Sequence, residues 1–312
     1  MTISDANRLK FHGRFLGLPA SSCACDKARA WVLPVPYEAT TCYGTGTRNG
    51  PAAIIAASVQ LELYDQEFDC EPVKQYGVHT MNALSTPRSF SPEKAICKIE
   101  EAVAKIIAGP RPPEILAVLG GEHSISTGVV RGIARGIGKD KLVAVHIDAH
   151  ADLRDEFQGS RYSHACAARR ILETCPIFQI GVRSMSIGEA RFCKRNKRVT
   201  TVFSEEATAA NGAFLHKLAA FVRNKRVFLT IDLDGLDPSI MPAVGTPEPG
   251  GISWERLLEI VDVVCRYSAT IPAFDVMELS PVPSLHHPDF LAAKLVYKII
   301  SKALIGQKSR KP

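Results

Sequence analysis

Six short apolar runs limit this chain's fold more than any other feature. They occupy residues 30–33, 115–119, 142–147, 177–181, 227–231 and 273–277. A strand wetted on one face alternates apolar and polar residues, whereas a strand covered on both faces reads as a nearly unbroken apolar run. These runs are of the second kind and alternate with longer stretches of helical period. After Ser91, which suits an N-cap, Pro92 fits the first helical position and Glu93 the positive end of the dipole. Ile96, Ile99, Val103, Ile106 and Ile107 then fall on one helical face. A second helix is expected from Ser253 through Leu257, Leu258 and Val261, and a third over residues 289–304. Helices between doubly buried strands predict an α/β fold: a three-layer α/β/α sandwich on a mostly parallel sheet. Ligands in such sheets bind beyond the carboxyl ends of the strands.

The chain has 312 residues, 46% hydrophobic and 22% charged, enough for one large core. We expect a single domain over residues 30–305, an N-terminal extension over 1–29 and a basic tail over 306–312. The net charge of +6 gathers at Arg191, Lys194, Arg195, Lys197 and Arg198, and at Lys308, Arg310 and Lys311. Both runs are read as solvated surface, so no nucleic-acid partner is expected. No stretch is long and apolar enough for a membrane span, and the run Phe15-Leu16-Gly17-Leu18 is too short for an export signal. The nine cysteines lack the spacing of a disulfide framework. They are read as small apolar residues in a reducing compartment, which makes the cytoplasm the expected location.

The chemistry gathers at three strand ends. The run 142–147 leads into Asp148-Ala149-His150-Ala151-Asp152. Side chains two apart in an extended chain point the same way, so Asp148, His150 and Asp152 converge. The run 227–231 leads into Asp232-Leu233-Asp234, and the run 115–119 into Gly120-Gly121-Glu122-His123-Ser124. The two glycines permit a tight turn that presents His123. Taken singly, each aspartate reads as readily as a loop residue or a cap. Together, four aspartates crowded at buried strand ends repel one another, and two divalent cations remove the problem. Mixed oxygen and nitrogen ligands suit manganese, with nickel, cobalt and zinc as alternatives. His146 is expected to point away from these ligands.

These strings resemble the arginase/agmatinase (ureohydrolase) family. So do Ser163-His164, Asp232-Leu233-Asp234-Gly235-Leu236-Asp237-Pro238, Gly245-Thr246-Pro247, Glu278-Leu279-Ser280-Pro281, Pro36-Tyr37-Glu38 and the stretch from Gly44 to Pro51. The resemblance runs from about Trp31 to Lys294 and is closest to the agmatinase branch. It implies an arginase-like fold and a trimer or pair of trimers. It implies one metal held by His123, Asp148, Asp152 and Asp232, and a second by His150, Asp148, Asp232 and Asp234. Asp148 and Asp232 would bridge. A water shared by two cations gives hydroxide at neutral pH, which would attack the guanidinium carbon. Asp152 would carry its proton to the leaving amine, Glu278 would grip the guanidinium, and His164 would shuttle protons to bulk water.

The substrate's far end is read from the loop Leu153-Arg154-Asp155-Glu156 and from Thr246. Arg154 departs from the arginase pattern, which excludes arginine as the expected substrate. Asp155 and Glu156 favour a cationic amine tail, as in agmatine or N1-aminopropylagmatine. Arg154 favours a carboxylate tail, as in guanidinobutyrate, and the pairing of Arg154 with Asp155 would serve neither. A metal-binding regulatory paralogue is the non-enzymatic alternative, against which the intact ligand set weighs.

Overall fold

The computed structural model describes residues 13–306 apart from Ala20 and Ser22. The lysines and arginine expected in the basic tail, and the first twelve residues, lie outside the described residues. Eight strands form one sheet: β1 (Ala30–Val35), β2 (Val78–Thr80), β3 (Ile115–Gly120), β4 (Leu142–Ile147), β5 (Ile177–Val182), β6 (Val199–Phe203), β7 (Arg226–Asp232) and β8 (Thr270–Met277). The helices are α1 (Gly50–Ser58), α2 (Val73–Tyr76), α3 (Pro92–Ile107), α4 (Ile125–Ile137), α5 (Ala167–Thr174), α6 (Ile187–Arg195), α7 (Ser204–Thr208), α8 (Phe214–Val222), α9 (Trp254–Tyr267) and α10 (His287–Leu304).

The strand order is β2-β1-β3-β8-β7-β4-β5-β6, and every pairing is parallel. The six apolar runs are β1, β3, β4, β5, β7 and β8. In β3, β4 and β5 every residue is buried. The sheet separates two apolar cores. One packs α1, α8, α9 and α10 on one face; the other packs α3, α4 and α5 on the opposite face. Ser91 caps α3 as expected, and Ser253 caps α9, each accepting the amide three residues on. No helix among the described residues is long and apolar enough to cross a membrane.

Two strands escape the sequence pattern. β2 and β6 are the sheet's edges, and only Val78, Val199 and Val202 in them are buried. An edge strand needs less apolar surface than a central one, so His79, Thr80, Thr200 and Thr201 dilute the signal.

β7 and β8, late in sequence, lie between β3 and β4. The carboxyl ends of these four adjacent strands therefore share one edge of the sheet. The Gly120-Gly121 turn depends on closeness there. A Cβ on Gly121 would lie 1.9 Å from the Tyr37 carbonyl oxygen, and one on Gly120 1.8 Å from Met277 Sδ.

Candidate metal centre

β3 delivers His123, β4 delivers Asp148, His150 and Asp152, β7 delivers Asp232 and Asp234, and β8 delivers Glu278. Six of the seven line one cavity of about 270 Å³, and Asp148 is fully buried beside them, against His123. His123 Nδ1 sits among carboxylates, 3.1 Å from Asp148 Oδ2, 3.1 Å from Asp232 Oδ2 and 3.5 Å from Asp152 Oδ2. His150 Nδ1 lies 2.9 Å from Asp234 Oδ2 and 3.5 Å from Asp148 Oδ1. Ligand atoms of His123, His146, Asp148 and Asp152 lie within 4.8 Å of one another, as do those of Asp148, His150 and Asp234. Asp148 belongs to both groups, as a bridging ligand must.

The backbone supports these positions. Asp152 and Glu278 adopt left-handed conformations, with φ 49° and 66°. That geometry costs a non-glycine residue roughly 1–2 kcal/mol, and such strain persists where the surroundings enforce it. For Asp152 the restraint includes the Arg169 amide, which donates to its carbonyl. For Glu278 it includes its amide donating to Gly121 O, and the His123 amide donating to Glu278 Oε1 at 2.6 Å. Arg183 clamps the next loop by donating to the carbonyls of Gly181, Asp234, Gly235, Leu236 and Glu248.

Crowding shows in the ionisation. Burial pushes Asp152, Asp232 and Glu278 well above the usual carboxylate range, with neighbouring carboxylates Asp148, Asp234 and Asp232 adding to it respectively. Burial opposes charge on His123 too, yet Asp148 and Asp232 hold its imidazole well above the ordinary value. Against the same burial, Asp148 and Asp234 push His150 up to about 12. In the absence of metal, protons do the neutralising. His123 Nδ1 and Asp148 Oδ2 are buried without an aligned hydrogen-bond partner. Two divalent cations fit this donor set: they replace the protons, engage the unpartnered atoms and leave each histidine neutral.

His146 corrects the sequence reading. The expectation is that it points away, but it precedes Asp148 by two residues and so shares its side of the strand. Its Nε2 lies 2.9 Å from Asp148 Oδ2, and its ring stacks on His123 with centroids 5.0 Å apart. Gln179 shows what His146 does. The Gln179 amide nitrogen donates to Ala151 O at 2.7 Å, which fixes the amide's orientation. The same nitrogen, 3.1 Å away, donates to His146 Nδ1, which leaves the imidazole proton to Nε2. His146 therefore packs behind the centre with Nε2 close to Asp148 but without an aligned hydrogen bond to it.

The loop after Asp152 brings a second correction. Arg154 lines the cavity, packed over the Phe157 ring at 5.0 Å, with Nε 3.8 Å from Glu189 Oε2. Asp155 does not line it. Asp155 is 58% exposed and turns away to Arg170, Arg161 and Arg169. A buried arginine on α5 outcompetes a solvated substrate tail for that carboxylate. Glu156 is exposed and does not line the cavity either. The acid near Arg154 is Glu189, which also closes the capping box of α6 with Ser186.

Thr246 lines the cavity, with Oγ1 3.4 Å from Asp234 Oδ2. His164 lines it too, and burial, with the positive charge of His123 and His150, lowers its imidazole to about 4. Behind His164 stand Glu122, quoted above only as part of the string around His123, and Thr40, which no quoted motif contains.

The model of the arginase family matches residues 28–301. N(1)-aminopropylagmatine ureohydrolase of Synechocystis is 38% identical over 288 residues, 92% of this chain and 92% of the relative. A protein of the same name from Thermus thermophilus is 36% identical over 276 residues, 88% of this chain and 90% of its own length. Among solved structures, agmatine ureohydrolase of Thermoplasma volcanium superposes with a TM-score of 0.80 at 28% identity, covering 93% of this chain and 96% of that one.

Proposed function

The chain belongs to the arginase family, in its agmatinase branch, and on that premise we propose that it hydrolyses a guanidino compound with an amine tail to urea and a primary amine. The substrate we propose is N1-aminopropylagmatine, giving spermidine, or agmatine, giving putrescine. One observation carries the reading: four adjacent strand ends gather five buried carboxylates and two imidazoles around a cavity. The two N(1)-aminopropylagmatine ureohydrolases matched above support the choice of substrate.

His123, Asp148, Asp152 and Asp232 would hold one ion, and His150, Asp148, Asp232 and Asp234 the other. Bound divalent cations, manganese in our reading, supply Lewis acidity that makes water nucleophilic at neutral pH. The chain's own groups do the rest. Glu278, whose Oε1 is occupied by the His123 amide, keeps Oε2 for the guanidinium and aims its carbon at the centre. Thr246 borders the same cavity. Asp152 takes the proton that water releases and passes it to the departing nitrogen. Across the reaction, water adds oxygen to the guanidinium carbon, the carbon–nitrogen bond to the tail breaks, and both water protons leave on the amine, which becomes an ammonium. His164, neutral at pH 7, exchanges protons between this nitrogen and solvent.

Arg154 on the cavity lining supports a second reading, a guanidino acid such as guanidinobutyrate. Glu189 beside it weakens that reading by offsetting its charge. We further propose one catalytic domain over residues 30–305, acting in the cytoplasm in polyamine synthesis as a homotrimer or homohexamer. The test is urea release by manganese-loaded protein from N1-aminopropylagmatine, agmatine, guanidinobutyrate and arginine. Release from the first two is expected to exceed release from arginine at least about a hundredfold, the scale on which a site rejects an unpaired polar group. Preference for guanidinobutyrate, abolished in Arg154→Ala, would install the second reading. No urea from any of the four would overturn the hydrolase assignment.

A further inference from the structure

Glu122 is a fully buried carboxylate at the β3 strand end, next to His123 in the chain. Four donors converge on it. The amides of Ala39 and Thr40 donate to Oε2, each at 2.6 Å. The hydroxyls of Thr40 and Ser124 donate to Oε1 at 2.8 and 2.6 Å. A carboxylate with two amides on one oxygen and two hydroxyls on the other acts as an acceptor throughout. The Thr40 hydroxyl has one hydrogen, and Glu122 takes it.

The same hydroxyl touches His164 twice. It lies 2.9 Å from the His164 backbone nitrogen and 3.4 Å from Nδ1. With its hydrogen committed, Thr40 Oγ1 can only accept from either. Two lone pairs and one hydrogen then match three partners, the full capacity of a hydroxyl. An unprotonated Nδ1 would set one lone pair against another. Ser163 Oγ, 3.3 Å from Nδ1, is free to accept as well. On the far side of the ring, Nε2 lies 3.5 Å from Cys42 Sγ at the cavity wall, where a thiol can donate weakly to a bare nitrogen.

We propose that Glu122 and Thr40 are positioning residues that set the tautomer of His164, holding the proton on Nδ1 and presenting an unprotonated Nε2 to the cavity. This rests on the hydrolase reading above for its consequence, but not for its test. An Nε2 lone pair can take a proton from solvent and give it to the departing amine, after which the ring returns to the Nδ1–H form. The other tautomer could give its Nε2–H to the amine only after Nδ1, held against Thr40 and Ser163, had first taken a proton.

The test reads the tautomer directly. Full-chain protein carrying ring-labelled histidine is loaded with zinc, which is diamagnetic. Its imidazole nitrogens are then assigned by NMR, with His164 identified by the signals missing from His164→Asn. Wild type and Thr40→Ser are expected to show Nδ1 protonated and Nε2 bare. Thr40→Val, which keeps the shape and loses the hydroxyl, is expected to move population to the Nε2–H form. With manganese, Thr40→Val should lower kcat about tenfold or more at nearly unchanged KM and metal content, and Thr40→Ser should recover most of it. Glu122→Gln supplies a second arm, since it replaces one acceptor oxygen with a donor. An Nε2–H wild type, or a Thr40→Val protein with tautomer and kcat both unchanged, would overturn the proposal. The tautomer is read without turnover, so a wild type that releases no urea would sink the hydrolase reading alone.

Discussion

Removing the Asp155 carboxylate should destabilise the protein and leave its choice of substrate alone. The side chain of Arg170 is 2% exposed, and its charge is met by Asp155 and by Glu173 at 2.8 Å. Its Nε is already buried without a hydrogen-bond partner. Truncating one partner of a fully buried ion pair costs about 3–5 kcal/mol. Here Glu173 remains and Asp155 stands 58% exposed, so water can replace part of what is lost. We discount the cost to about 2 kcal/mol. For a chain of this size, with about 2 cal/mol/K of unfolding entropy per residue, that lowers Tm by roughly 3 °C. The assay pairs thermal unfolding of Asp155→Ala with kcat/KM for agmatine and for arginine. The expected result is a lower Tm with an agmatine-to-arginine ratio within about twofold of wild type, well under the roughly 1.4 kcal/mol that a tenfold change represents. Asp155→Asn, which keeps an acceptor for Arg170, should recover part of the loss. A ratio that collapses tenfold or more at unchanged Tm would refute the reasoning, because Asp155 would then be contacting the substrate tail.

Three further predictions concern the centre. Elemental analysis after manganese loading should give two ions per chain, with Asp234→Ala keeping one and the bridging variant Asp232→Ala keeping fewer; a single tight ion in wild type would exclude the binuclear centre. Because Asp148 holds His123 and His150 protonated despite their burial, loading at pH 7 should release protons. Apparent metal affinity should therefore fall as pH drops, and calorimetry in buffers of different ionisation enthalpy would show no proton release if this is wrong. His146→Phe keeps a ring against His123 but removes the imidazole nitrogen 2.9 Å from Asp148, and should weaken metal binding about tenfold to a hundredfold; unchanged affinity in a competition titration would remove His146 from the centre.

Much of this is legible in the chain because burial and spacing are local signals. The apolar run 142–147 coincides with β4 from end to end, and the period of two then places Asp148, His150 and Asp152 together. That period also places His146 beside Asp148, so its role is present in the sequence even though the expectation assigned it elsewhere. The edge strands β2 and β6 are illegible because half-exposed residues carry no continuous apolar run. The link from Glu122 through Thr40 to His164 is illegible for another reason. Thr40 has its partners 82 and 124 residues away, and only the sheet order brings them together. Asp155 misleads because a carboxylate near a site looks available until its arginines are seen.

The insertion of β7 and β8 between β3 and β4 also governs how the protein comes into being. While the chain is being synthesised, β1, β2 and β3 can pair, as can β4, β5 and β6. The two half-sheets share no hydrogen-bonded border until residues 226–277 emerge. At ribosomal speed, β3 and β4 then wait on the order of ten seconds as open, largely apolar edges, a state prone to aggregation. Four of the six proposed ligands precede residue 226, but Asp232, Asp234 and the guanidinium-facing Glu278 arrive with the strands that close the sheet, so a nascent chain completes its site only in the step that also closes those edges.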